Sequence, residues 1–353
     1  MIPGAVARAL ERGRLASWPT RRLADVWARH ARPVRPLPLP EGAHVIGVGG
    51  ATLGGSYKTP LVLALARALS AEAARVAVVA HGYGARVREA RAVSPDDDAR
   101  AVGDDAAWLA RALRPDGVAV FVGPRARAVA LAAFAGPVLV VDGLLQASPR
   151  RLGLALLAVD AAAPWGAGAC PPAGDLRAPE HVLLGAADAI VAVVSSSAVR
   201  TEELGRAAHA ARRPLFVVTS ALRATEARSG GEVDLDALSR QRVGVVTAIA
   251  RPDRFVRSLT ALGLRPAAIR HFADHAWPPP TPSRRAPPVD VWLTTPKCAT
   301  KLSPRYDGAP VVVVDQRLAI PPDLVRACLP EIFQGIWDSR VPLSSAFRVS
   351  DPW

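Results

Sequence analysis

The sequence is poor in several things at once. It has three cysteines in 353 residues, Cys170, Cys298 and Cys328. They lie far apart, with no metal-ligand spacing and no disulfide framework, which suits a reducing compartment. Aromatic residues make up only 5% and the arginines are dispersed, so no stacking platform for nucleic acid is visible. No apolar run reaches the roughly 18 residues that a membrane-spanning helix needs. The run from Ala128 to Val141 is interrupted by Gly136-Pro137 and ends in Asp142, which reads as a helix followed by a buried strand. No signal-peptide layout is expected at the start of the chain. Acidic residues are also scarce, 31 against 44 Lys and Arg, for a formal charge of +13. Such a balance favours a phosphate-rich partner or an anionic membrane surface. A high-GC genome that uses Arg and Ala freely gives the same balance.

Apolar residues are plentiful at 50%, and the length allows two α/β lobes with cores of their own. Residues 1 to 35 alternate apolar and basic positions at helical spacing. Val6, Leu10, Leu15, Trp18, Leu23, Val26 and Trp27 are interleaved with arginines. Pro19 is expected to divide this segment into two short helices. It either lies in a membrane interface or docks on the domain with its Arg face solvated. A Pro-rich linker, Pro33 to Pro40, follows.

From Val45 onward, apolar strands alternate with helices. Strands are expected at 45–48, 76–79, 118–122, 138–141 and 154–159, with helices at 59–69, 104–113 and 125–134. Strands near 190–194, 215–218, 243–247, 291–294 and 311–314 continue the pattern. This predicts an α/β fold, a phosphate-loop NTPase-like parallel sheet flanked by helices. A second, smaller α/β lobe and the N-terminal amphipathic segment complete it. The expected divisions are 1–40, 41–230 and 231–353. The Gly/Pro-rich loop from Ala161 to Pro179 is too long for a plain connection and is suspected of function. Ser229 to Asp234 reads as a lobe hinge or a surface loop. The tail after Trp337 shows no period.

The motif that organises the chain is VIGVGGATLGGSYKTP, Val45 to Pro60. A strand, a Gly-rich turn, Lys and a hydroxyl residue at a helix start make a phosphate-binding loop. Gly50, Thr52, Gly54, Gly55, Ser56, Lys58 and Thr59 are its candidate nucleotide contacts. Lys58 would reach the β/γ-phosphates and Thr59 would hold Mg²⁺. Tyr57 stands where such loops nearly always carry Gly. Its ring has to leave the phosphate path, and a left-handed backbone there would cost roughly 1–2 kcal/mol. Asp142 ends an apolar strand, either as a second Mg²⁺ partner or as a cap on the next turn. Asp104 and Asp105 precede a helix, as caps or with one as a general base. Asp274-His275 is a proton-handling pair or a plain surface group.

The motifs together resemble those of the tetraacyldisaccharide 4'-kinase family, the lipid A kinases of Gram-negative bacteria, from about Val45 to Leu318. VGGATLGGSYKTP resembles the family's double-Gly loop, HGYGAR its RGYG turn, VGDD its VGDE and PPAGDLRAP its LPAGPLREP. VVDGLLQ, IARPDRF, FADHAW and LTTPKCATKL match further segments. The resemblance implies transfer of the ATP γ-phosphate, with Mg²⁺, to the 4'-hydroxyl of an acylated glucosamine disaccharide lipid. It implies a peripheral position on the cytoplasmic face of the inner membrane, contacted by the N-terminal segment. No nucleic acid and no obligate protein partner are implied. By the same resemblance Lys58 and Thr59 serve nucleotide and Mg²⁺, and Asp142 serves Mg²⁺. Asp104 is the candidate base with His275 as its partner, and Arg177, Tyr83 and Gln146 are candidate substrate contacts. The departures are Tyr57, His81 for Arg, Gly143 for the second Asp of an acidic pair, Ala147 for His, Ala276 for His, and Pro296 and Cys298 for Glu and Asp. A non-catalytic relative that binds lipid or a protein, or a kinase for another amphiphilic sugar, stands as the alternative.

Overall fold

The computed structural model describes residues 4–72, 74–85, 87–195, 199–279 and 287–329. The tail after Trp337 lies outside them. The described strands form one 14-stranded sheet and one two-stranded sheet. The strand His44–Gly50 is buried along almost its whole length and lies parallel between Leu154–Asp160 and Val138–Asp142. Val76–Val79 and Ala119–Val122 extend the sheet on the Val138–Asp142 side. Ala189–Val194 and Leu215–Glu226 extend it on the other. Near-continuous apolar runs are what a parallel sheet covered on both faces requires. Gly47 is needed for a close approach: a Cβ there would stand 2.4 Å from a Leu152 methyl and 2.7 Å from the Leu144 carbonyl oxygen.

The helix Lys58–Ala71 packs six buried residues, among them Leu61, Leu65 and Leu69, against one face. Arg125–Ala133 covers the other face with Ala128, Val129 and Ala132. Fully burying a Leu contributes roughly 1.5–3 kcal/mol, so these rows dominate the stability of the loop's base.

Leu215–Glu226 runs on well past 218 and pairs antiparallel with Ala309–Ala319, from Thr219 opposite Ala319 to Glu226 opposite Val312. Through this pair the sheet passes without a break into Val291–Thr294, Val243–Thr247 and Ala268–His271, all parallel. Ser229 to Asp234 forms the tight turn that brings Glu232–Val233 back onto Leu215–Glu226, with the Glu226 amide donating to the Gly231 carbonyl at 2.8 Å. The chain then returns to the first half. Leu324, Val325 and Cys328 of the helix Pro322–Cys328 share a core with Leu61 and Leu65.

The N-terminal segment forms two helices, Gly4–Glu11 and Trp18–His30. The break falls at the turn around Gly13, which has φ +61. Pro19 does not make it. Ser17 caps the second helix in a capping box with Thr20, and Pro19 sits in the first turn, where its missing N–H costs nothing. That helix buries Ala24 and leaves Trp18, Leu23, Val26 and Trp27 exposed. No described helix is long and apolar enough to cross a membrane. Part of the Pro-rich linker is a strand, Val34–Pro36, paired with Gln146–Ser148.

Candidate active site

The phosphate loop lies between Gly50 and the helix Lys58–Ala71, and its own side chains set its shape. The Thr52 and Ser56 hydroxyls share a hydrogen bond of 2.8 Å, and Thr52 Oγ1 donates to the Gly54 carbonyl at 2.7 Å. The long loop Ala161 to Pro179 supports it from outside. The Leu53 amide donates to the Asp175 carbonyl, and the Arg177 amide to the Ala51 carbonyl. Asp175 also pairs with Arg251, which stands against Gly55, where a Cβ would come within 2.4 Å of the Arg251 side chain. With this frame in place, the amides of Gly54, Gly55, Ser56, Tyr57, Lys58 and Thr59 find no protein acceptor among the described residues. Consecutive free N–H groups at a helix start form an anion cradle.

Tyr57 occupies the left-handed region at φ 58 and is the residue before the helix. Its ring is buried at the wall of the cavity that the loop lines. The hydroxyl bonds Ser195 Oγ at 2.8 Å, and the Arg254 guanidinium stands 5.0 Å above the ring. Arg254 in turn pairs with Asp160 at 2.6 Å. The ring is thus anchored by Ser195 and Arg254. Tyr57→Gly should relieve about 1 kcal/mol of backbone strain but lose about 3 kcal/mol of ring packing. The expected outcome is net destabilisation of about 2 kcal/mol by urea unfolding, with the ATP-induced rise in Tm retained.

Behind the cradle, Thr59 Oγ1 donates to Asp142 Oδ2 at 2.8 Å, and Arg125 donates to the Asp142 carbonyl at 2.6 Å. Asp142 Oδ1 is buried with no hydrogen-bond partner among the described residues. Lys58 projects into the same space. Burial lowers its pKa first, and Arg177 adds to this, against Asp142 and Asp105. Arg177 donates weakly to the Thr52 and Leu53 carbonyls at 3.4 and 3.3 Å.

Two departures from the family pattern touch one another here. Gly143 has φ +73, and a Cβ on it would stand 2.8 Å from His81 Cδ2. The imidazole fills the space that a side chain at 143 would need. Burial and the charges of Arg125, Lys58 and Arg177 push the His81 pKa down to about 4, against Asp142. In the unfolded chain it titrates near 6.5. Its contribution is therefore fully present above about 6.5 and is lost as the pH falls toward about 4. His81→Gln should flatten the fall in unfolding free energy between pH 7 and pH 5, measured by urea titration without nucleotide.

Across a cavity of about 510 Å³ stands a second cluster. His275, at φ 62, donates from Nδ1 to Asp104 Oδ1 at 2.8 Å. Lys301 Nζ donates to Asp104 Oδ2 at 2.6 Å, and Lys297 Nζ donates to His275 Nε2 at 3.2 Å. Burial pushes the Asp104 carboxyl up, but the His275 hydrogen bond and the charges of Lys297, His275 and Lys301 outweigh it. The net position lies well below the usual carboxylate range. Asp105 goes the other way, raised by burial and by Asp104 and Asp142 in spite of Lys297. Burial disfavours the Lys297 charge, but Asp105, Asp274 and Asp104 more than compensate and hold its pKa above the usual value. The Tyr83 ring lies 4.5 Å from that of His275.

One cavity thus gathers Gly54, Gly55, Ser56, Lys58, Thr59, Asp142, Arg177, Tyr83 and His275. Gly50 and Thr52 lie just behind it. A Gly50 Cβ would stand 2.8 Å from Ser56 Cβ, and Thr52 is buried. Gln146 is not there. It is buried, with Oε1 accepting from the Ala147 and Leu152 amides and Nε2 donating to the Ala186 carbonyl. Its amide braces the strand and loop after Asp142, so the expected substrate contact is corrected. Ala147 is buried beside it. The expectation that Asp104 is itself the base meets a carboxylate with both oxygens engaged. Sequence reasoning gave no role to Lys297, Lys301, Arg125, Arg251 or Arg254. For the two lysines the signal was present, because positions 297 and 301 are spaced to face one side of a helical turn.

Comparison with known proteins gives a consistent result. The family model for tetraacyldisaccharide-1-P 4'-kinase matches residues 22–332. A tetraacyldisaccharide 4'-kinase of Methylobacterium sp. (strain 4-46) is 36% identical over 346 residues, covering 90% of this chain and 95% of that one. One of Anaeromyxobacter dehalogenans (strain 2CP-C) is 34% identical over 318 residues, covering 82% and 81%. One of Dichelobacter nodosus is 35% identical over 233 residues, covering 66% and 67%. In fold, the chain is similar to the crystal structure of LpxK from Aquifex aeolicus in complex with ATP. The TM-score is 0.59 at 21% identity, over 92% of this chain and 98% of that one.

Proposed function

The chain belongs to the tetraacyldisaccharide-1-P 4'-kinase family, and on that premise we propose that it transfers the γ-phosphate of ATP to the 4'-hydroxyl of a tetraacylated glucosamine disaccharide 1-phosphate. The observation that carries this reading is the free-amide cradle of 54–59 facing the hydrogen-bonded Asp104–His275 pair across one cavity. An anion donor site and a proton-handling pair are the two halves a phosphoryl transfer to a hydroxyl needs.

In this mechanism the cradle and Lys58 hold the nucleotide phosphates. The orphaned Oδ1 of Asp142 and the Thr59 hydroxyl fit a hard divalent cation. Thr59 and Asp142 would hold Mg²⁺, which supplies neutralisation of phosphate charge when bound. His275 takes the hydroxyl proton at Nε2, the nitrogen that faces Lys297. Asp104 fixes the tautomer through Nδ1 and stabilises the imidazolium. Lys297, paired with Asp105 and Asp274, keeps a positive charge beside that nitrogen. Trp18, Leu23, Val26 and Trp27, set among arginines, suit a peripheral contact with an anionic membrane surface. We place this contact in residues 1–40, ahead of a kinase domain to about 230 and a smaller lobe beyond.

The experiment is a transfer assay with purified protein, MgATP and the disaccharide acceptor. A product labelled on the 4'-oxygen supports the proposal. Absence of product together with absence of ATP-dependent stabilisation would favour the binding-only alternative. ATP stabilisation with turnover only of other amphiphilic sugars would move the substrate assignment.

A further inference from the structure

The phosphate loop is held in part by a residue from the distant half of the chain. The helix Pro252–Ala261 begins against it, and a Cβ on Gly54 would stand 2.5 Å from Ala250 Cβ. Arg254, in the first turn of that helix, donates from Nη1 to the Gly55 carbonyl, 199 positions away. Its Nη2 pairs with Asp160 Oδ2 at 2.6 Å. Asp160 is buried, and its Oδ1 accepts from the Ala162 amide at 3.1 Å. The guanidinium also lies 5.0 Å from the centre of the Tyr57 ring. A planar fork tied at both terminal nitrogens has little freedom to turn.

The direction of a carbonyl fixes the direction of an amide. In a trans peptide the C=O and the next N–H point opposite ways. The Gly54 carbonyl accepts from Thr52 Oγ1 at 2.7 Å, which sets the Gly55 N–H. The Tyr57 carbonyl accepts from the Leu61 amide at 3.0 Å, which sets the Lys58 N–H. Both of these ties are local. The Gly55 carbonyl lies between them and is tied by Arg254, and the amide it sets is that of Ser56. That amide meets no protein acceptor among the described residues. Gly55 stands at φ +69, and glycine resists rotation of its peptide less than any other residue. A tie from outside the loop is therefore needed to keep this peptide in one orientation.

We propose that Arg254 is a positioning residue for the nucleotide: it holds the Gly55 carbonyl and so keeps the Ser56 amide turned toward the phosphates. The proposal rests on the kinase reading above and names a residue that prepares its phosphate cradle. Arg254 acts through the loop backbone, because its terminal nitrogens already serve Gly55 and Asp160. An amide aimed before the anion arrives avoids the cost of ordering the loop on binding. A lysine does not replace it. Its single ammonium is drawn to the Asp160 charge and leaves the Gly55 carbonyl free.

The test uses the full chain and calorimetry with MgATP and, separately, inorganic tripolyphosphate. Arg254→Met alone would strand the buried Asp160 carboxylate, so it is combined with Asp160→Asn, which removes both charges. The double variant should keep a Tm close to wild type and bind both ligands about tenfold more weakly, the scale of one charge-assisted hydrogen bond. Arg254→Lys keeps the charge and the Asp160 partner, and should be weakened about as much. In transfer assays with either variant, KM for ATP should rise about tenfold while kcat falls no more than about threefold. A merely structural role would lower Tm without dividing KM from kcat in this way. Wild-type affinity in the double variant would reduce Arg254 to a counter-ion for Asp160 and overturn the proposal. Full affinity in Arg254→Lys would make positive charge the whole of its role, with the same consequence, as would a wild-type chain that binds neither ligand. Tripolyphosphate binding needs no turnover. A failed transfer assay beside an intact tenfold difference would sink the kinase reading and leave the positioning role standing.

Discussion

Lys58→Ala is expected to lower kcat/KM for ATP by about 10³-fold and to remove the ATP-induced rise in Tm. The magnitude follows from what surrounds the ammonium. Lys58 meets no carboxylate at ion-pair distance among the described residues, and Arg177 lies in the same cavity. Burial and the Arg177 charge both work against its protonated form, with Asp142 and Asp105 opposing. A positive group so placed is costly in the free protein and becomes favourable only when an anion arrives. The same reasoning fixes the control. Position 58 is the first residue of a helix and alanine is a good helix former, so the variant should fold. Its Tm without ATP should stay close to wild type, because the half-buried side chain makes no ion pair among the described residues. A variant that keeps ATP stabilisation would show that the cradle amides alone carry the nucleotide.

The parts of the fold that were legible in the sequence are the ones fixed by local pattern. Buried strands such as Val76–Val79 and Val243–Thr247 read as continuous apolar runs and fall where expected. The strands Leu215–Glu226 and Ala309–Ala319 were cut short by the same criterion. Their far halves are half-exposed and carry Arg223, Asp315 and Arg317, so antiparallel pairing holds them rather than burial on both faces. In the site, the loop could be read because its residues are contiguous. The lysine that engages Asp104 lies 197 positions away, and no local period encodes that contact. Tyr57 could be recognised as anomalous, but the space that accommodates it is made by Ser195 and Arg254 from distant elements. The fit of His81 against Gly143 is of the same kind. Each substitution looks like a loss alone, and only the fold brings them into contact.

His275→Ala and Asp104→Asn should each lower kcat by about 10²–10⁴-fold while leaving KM for ATP nearly unchanged. The reason is the chain of hydrogen bonds from Lys301 through Asp104 to His275 and on to Lys297. Removing the imidazole removes the proton acceptor. Replacing the carboxylate with an amide removes the group that fixes the Nδ1–H tautomer and stabilises the imidazolium. If the two act as one unit, the double variant will be no slower than the worse single one. Additive losses would mean that each residue works alone and would sink the paired role. One structural cost has to be separated from this. Asp104→Asn strands the buried Lys301 ammonium, and breaking a buried ion pair costs roughly 3–5 kcal/mol. Asp104→Asn combined with Lys301→Met removes both charges and should restore much of that stability. It should not restore kcat, because the imidazole still lacks its anionic partner. Recovery of stability without recovery of turnover would assign the carboxylate to proton handling, and recovery of both would reduce it to a structural counter-ion for Lys301.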